Sequence, residues 1–171
     1  MVTRMVRRQL VTAAVLLTLL LGLACIKKTS GVVTPWEKVT TYNSLLASTN
    51  NTITKGVILA NSDNLLTKEY TAPVLVMSSK VAVTDDELTN LLAKGAALTP
   101  ADTLRVNELL VQVRDSANKL INGGTLNIKN PQSQTTISAD VQSLVDLVQL
   151  IINMIPQLIA NPVPPVKGVI K

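Results

Sequence analysis

Cys25 is the only cysteine among the 171 residues, and the chain has no histidine. The commonest general base and the commonest metal ligand are therefore missing together. A single thiol also rules out a disulfide framework within one chain. The one acidic cluster is Asp85-Asp86-Glu87. A cation site needs convergent oxygens, and three consecutive residues on a helix point in different directions. The cluster therefore reads as a solvated face, or as a local helix start capped by Thr84. Asn43 and Asn50 interrupt an otherwise apolar spacing. They read as polar residues that set helix register, with a ligand-lined interior as the alternative. No nucleophile elbow, phosphate loop, dinucleotide fingerprint, zinc spacing or calcium loop is present in the sequence. The expectation is a non-enzymatic protein with no cofactor and no metal.

Cys25 has a distinctive setting. Arg4, Arg7 and Arg8 form a basic start, and residues 10–24 follow without a charge. Fifteen such residues are long for the apolar part of a signal peptide and short for a transmembrane span. Gly22-Leu23-Ala24-Cys25 closes the run. This stretch resembles the lipobox of bacterial lipoproteins, with a small residue, Ala24, directly before the cysteine. Gly22 departs from the pattern, which usually has Leu there. The resemblance covers only the first 25 residues. It implies that the Cys25 thiol receives a diacylglyceryl group, that residues 1–24 are removed, and that acyl chains (palmitate among them) hold the protein to a membrane. Two or three acyl chains anchor stably, whereas one does not. The alternatives are conventional cleavage near this point and an uncleaved anchor.

The formal charge of +5 is concentrated in this leader. Without Arg4, Arg7 and Arg8 the chain has 13 basic and 11 acidic residues, a net of +2. Such a balance gives no footprint for nucleic acid. Hydrophobic residues make up 47% of the chain, enough for a core, yet Trp36, Tyr42 and Tyr70 are the only aromatics. Core volume must come from Leu, Val and Ile.

Four segments carry apolar residues at alternating steps of three and four, the signature of one helical stripe. The first opens on Thr34-Pro35-Trp36-Glu37, which reads as an N-cap, a first-turn proline and a capping box. Its stripe is Trp36, Val39, Asn43, Leu46, Asn50, Ile53, Val57 and Ala60, and the cluster at 61–64 ends it. The second, with Thr67 as its cap, runs through Tyr70, Val74, Met77, Val81, Thr84, Leu88 and Leu91 to a stop at Gly95. Pro73 allows a later start or a kink, and residues 74–77 could form a short strand instead. The third repeats the start signal at Thr99, Pro100 and Asp102, and carries Thr103, Val106, Leu110, Val113, Ala117 and Leu120. Residues 125–137 read as a polar connector. Ser138 caps the fourth helix, whose stripe is Val141, Leu144, Val148, Ile151, Ile155 and Leu158. This is the most apolar segment, read as a central helix buried on more than one side.

The expected fold is all-α, an up-down four-helix bundle over residues 34–160, with a three-helix bundle and an irregular second segment as the alternative. Residues 25–33 form a tether and 161–171 a proline-rich extended tail. Trp36 reads either as the cap of the core or as a membrane-interface anchor. The expected role is a lipid-anchored helical interaction or structural module of the bacterial cell envelope, facing periplasm or exterior, with an unidentified protein partner and no nucleic acid. A membrane-active protein of the phage-lysis type, using the fourth helix, is the rival. A carrier of a small apolar ligand is the third reading.

Overall fold

The computed structural model describes residues 33–66, 68–122 and 131–161. Cys25, the preceding apolar run, the tether through residue 32, the Thr67 cap, residues 125–130 of the expected connector and the tail beyond 161 lie outside them. The chain divides into a unit at Met1–Val33 and a compact unit at Thr34–Lys171. The second unit contains four helices: α1 (Pro35–Ser62), α2 (Lys68–Lys94), α3 (Pro100–Asn122) and α4 (Pro131–Ala160). No strand occurs among the described residues.

Local chemistry sets the ends. The Thr34 hydroxyl accepts from the Glu37 amide at 3.2 Å, and the Glu37 carboxylate accepts from the Thr34 amide at 2.8 Å. Two amides that the first turn leaves unpaired are thereby satisfied. At the far end of α1, Asn64 takes a left-handed φ of 55°. The Leu65 amide then reaches back to the Ala60 carbonyl at 2.8 Å, and the Asn64 amide to Asn61 at 3.1 Å. This is the Schellman arrangement, and asparagine tolerates the left-handed conformation better than most residues. Gly95, at φ 53°, stops α2 as its position predicts. Thr99 and Asp102 form the start of α3, with the Asp102 carboxylate accepting from the Thr99 amide at 2.9 Å.

The start of the fourth helix departs from the expectation, and the second helix follows it. α4 begins at Pro131 rather than Ser138, so residues 131–137 are helix and not connector. Pro131 at its first position is the same proline signal that opens α1 and α3. The early start adds Ile137 to the buried stripe. α2 runs through Pro73 as one helix of 27 residues, so neither the strand nor the three-helix alternative holds. Pro73 lies in its second turn and removes one backbone donor there, a local loss that the buried stripe beyond it outweighs.

Each helix packs against two neighbours, in the order α1, α2, α3, α4 and back to α1. The diagonal helices do not approach one another. α4 is therefore one side of a square and not a central helix. Every stripe residue named above is buried except Tyr70, which is partly buried at the edge. An isolated helix cannot bury its own stripe, and four facing stripes form one shared core.

Truncating that core should be costly. In a chain beginning at Lys27, Ile151→Ala and Leu110→Ala should each lose about 2–5 kcal/mol. The exposed Gln112→Ala should change stability by at most about 0.5 kcal/mol. Chemical denaturation followed by circular dichroism measures the contrast. Equal tolerance at all three sites would show that the stripes share no core.

Candidate functional site

The seam between α1 and α2 holds the buried polar residues that the sequence singles out. Asn43 and Asn50 are 6% and 7% exposed. The Asn43 amide donates to the Thr89 hydroxyl at 3.2 Å, and the Asn50 amide to the Ser78 carbonyl at 3.3 Å. The Thr54 and Ser78 hydroxyls lie 2.9 Å apart, and the Thr71 hydroxyl donates to the Asn61 side chain at 3.4 Å. Moving from Asn43 to Thr54 to Asn61 along α1 matches Thr89, Ser78 and Thr71 along α2, residue for residue. These three cross-links share one antiparallel offset and specify one register, and Asn50 reaches the same Ser78 from one turn earlier in α1.

The seam is incompletely satisfied. The Oδ1 atoms of Asn43 and Asn50 are buried without a hydrogen-bond partner. A stranded buried acceptor costs about 1–3 kcal/mol. The two residues stand seven apart, roughly 10 Å along the helix. They cannot converge on one small ligand. Both are neutral amides, so the seam can donate and accept hydrogen bonds but cannot move a proton at ordinary pH.

The other seams use different chemistry. Between α2 and α3, Lys80 donates to the Ser116 hydroxyl at 2.9 Å, Arg105 to Glu87 at 3.2 Å, and Lys94 to Asp102 at 2.5 Å. The Lys94 and Thr99 hydrogen bonds hold the Asp102 carboxyl at a pKa of about 2. Between α3 and α4, Arg114 donates to Gln149 at 3.2 Å, and Gln149 in turn to Asn153 at 3.0 Å. Gln149 is thus part of a cross-link, although it lies outside the stripe. Between α4 and α1, the Trp36 indole N–H donates to the Asn161 carbonyl at 2.8 Å. Trp36 is buried in the core, as the cap of the bundle. No spacing rule links positions 36 and 161, and only the antiparallel pairing of α1 with α4 brings them together.

The acidic cluster does not converge. Glu87 pairs with Arg105, Asp86 is exposed, and Asp85 is partly buried. Among the described residues no group of three or more metal-ligating side chains gathers. Asp140, partly buried on α4, has its pKa raised by burial. No protein family, no curated protein and no solved structure matches this chain.

The two asparagines separate a register role from a ligand role. Asn50→Val removes the stranded Oδ1, and the Ser78 carbonyl keeps its helical amide. If the role is register, thermal and chemical unfolding should show a gain of about 1–3 kcal/mol. A loss of stability would mean that a bound water or ligand engages Oδ1 and would contradict the register role.

Proposed function

We propose that this protein is a lipid-anchored, non-enzymatic helical module of the bacterial cell envelope. The observation that carries the reading is the stretch Gly22-Leu23-Ala24-Cys25 at the end of an uncharged apolar run that follows Arg4, Arg7 and Arg8. Cys25 is then the acylated residue and the point of membrane attachment. The bundle supports the reading in a second way. Several of its polar and charged side chains form caps and cross-links that fix helix ends and seams. The apolar stripes are used inside, so the unit at Thr34–Lys171 has a core that needs no membrane. A folded module of this kind suits display at a membrane surface, where it meets a protein partner.

A second reading rests on α4. Among the described residues it is the one helix long and apolar enough to cross a membrane. A membrane-active protein would have to expose that helix by opening the square. Opening removes Val148, Ile151 and Leu158 from the core, each worth about 1.5–3 kcal/mol when buried. It would also place Asp146 in hydrocarbon, at a further cost of a few kcal/mol. The closed bundle therefore favours attachment through Cys25.

Metabolic labelling with palmitate tests the proposal. The wild-type chain should take up label and partition with membranes. Cys25→Ser should take up none, and should accumulate as precursor or as released protein. A wild-type chain without label would overturn the lipid anchor. Membrane retention of unlabelled Cys25→Ser after leader removal would transfer the attachment to α4.

A further inference from the structure

α2 has a second seam. Its inward stripe is Val74, Met77, Val81, Thr84, Leu88 and Leu91, all buried. On the opposite side, Glu69, Ala72, Val76, Ser79, Val83, Asp86 and Asn90 repeat the same alternation of three and four, and all are exposed. The middle of this outer seam is apolar and uncharged. Val76 is 55% exposed, Val83 49% and the flanking Leu75 41%, while Ala82 beside them is also exposed. The α1–α2 register places Ile58, 52% exposed, beside Leu75. The nearest cation, Lys80, points away to bond Ser116 on α3. The outward faces of α3 and α4 carry single exposed leucines, Leu104 and Leu150, but these stand among polar residues: Arg105, Gln112 and Lys119 on one, and Gln142, Asp146 and Asn153 on the other.

We infer that this face of α2 packs against α2 of a second copy of the chain, antiparallel, with the two-fold axis at Ser79. The apolar positions are symmetric about that residue. Val76 and Ala82 stand three residues to either side, and Leu75 and Val83 four. An antiparallel two-fold keeps the α1-side flank and the α3-side flank each on its own side, so it sets Leu75 beside Ala82 and Val76 beside Val83, apolar against apolar at each position, which is the self-complementarity an isologous contact requires. Charge selects the direction. Parallel packing would oppose Glu69 to Glu69 and Asp86 to Asp86, whereas the antiparallel arrangement places Asp86 opposite Ala72. Size limits the strength. An apolar patch of this extent is on the order of 300–600 Å². A stable interface buries about 800 Å² per partner. The contact is accordingly weak in dilute solution and grows where copies are concentrated, as on a shared membrane. That concentration rests on the proposed lipid anchor, which palmitate labelling of the same membranes checks separately, whereas the exposed face belongs to α2 itself.

Cross-linking of the full chain in cell membranes tests this. Ser79→Cys should give a dimer with an oxidant or a short bismaleimide, well above the background from wild type, whose only thiol is Cys25. Gln112→Cys, on the outward face of α3, should stay at background. Adding Val76→Lys or Val83→Lys to Ser79→Cys should cut the dimer about ten-fold or more, because each buries an unpaired ammonium in the contact. Both positions are exposed in the single chain, so helicity and melting temperature should be unchanged. A Ser79→Cys yield no higher than that of Gln112→Cys would overturn the proposal. So would a yield indifferent to both lysines. A product joining Ser79→Cys to a different protein in place of a dimer would assign the face to another partner and reject self-association.

Discussion

Everything in this fold follows from one constraint: each helix carries an apolar stripe that it cannot bury alone. Alternating steps of three and four keep the stripe on one side of a helix for its whole length. Two such helices cover part of each other's stripe, and four in a square cover all of it. Burial of Leu, Val and Ile supplies the driving force, at about 25 cal/mol per Å² of apolar surface. The near absence of aromatic residues matters here. Uniform aliphatic side chains fit a regular seam without local bulges, and Trp36 sits at the end of the core, where a large ring displaces no neighbouring layer.

Apolar stripes alone do not say which helix lies beside which. Polar groups at the seams settle that. α1 meets α2 through neutral amides and hydroxyls, α2 meets α3 through lysine, arginine and carboxylates, and α3 meets α4 through Arg114 and Gln149. Each exposed ion pair contributes little to stability, roughly 0–1 kcal/mol. As a set they still distinguish the seams. A swapped arrangement would leave Asn43 and Asn50 without even their present partners. The two stranded carbonyl oxygens are the stability cost of that specificity.

Much of this was legible in the sequence because heptad spacing is a strong local signal. The stripes of α1 and α3, their proline-marked starts and the stop at Gly95 follow directly from residue types. The start of α4 was missed because Gln132, Ser133, Gln134, Thr135 and Thr136 are polar. The first two turns of a surface helix need little apolar surface, so their composition resembled a connector. The cross-links were not legible at all. Asn43 and Asn50 could be assigned to a seam from their spacing, but which helix they faced depends on tertiary register. Trp36 with Asn161 and Arg114 with Gln149 are likewise consequences of antiparallel closure. Cys25 is a different case: it lies outside the described residues, and its proposed acylation rests on a short local motif alone.

In the proposed function the leader motif would supply attachment, and the four-helix bundle presents outer faces that differ from one another. Closure of the square is what the proposed role requires, because an open bundle would release α4 and turn its apolar surface outward. Trp36 reports that closure directly, being the only tryptophan and the donor to the end of α4. The decisive measurement is its fluorescence in lipid-free solution, together with hydrogen exchange of its indole N–H. A closed square predicts blue-shifted emission and a slowly exchanging indole proton, both lost in the same transition as the helical signal. Emission typical of a water-exposed indole, with fast exchange in a chain that is still fully helical, would contradict it.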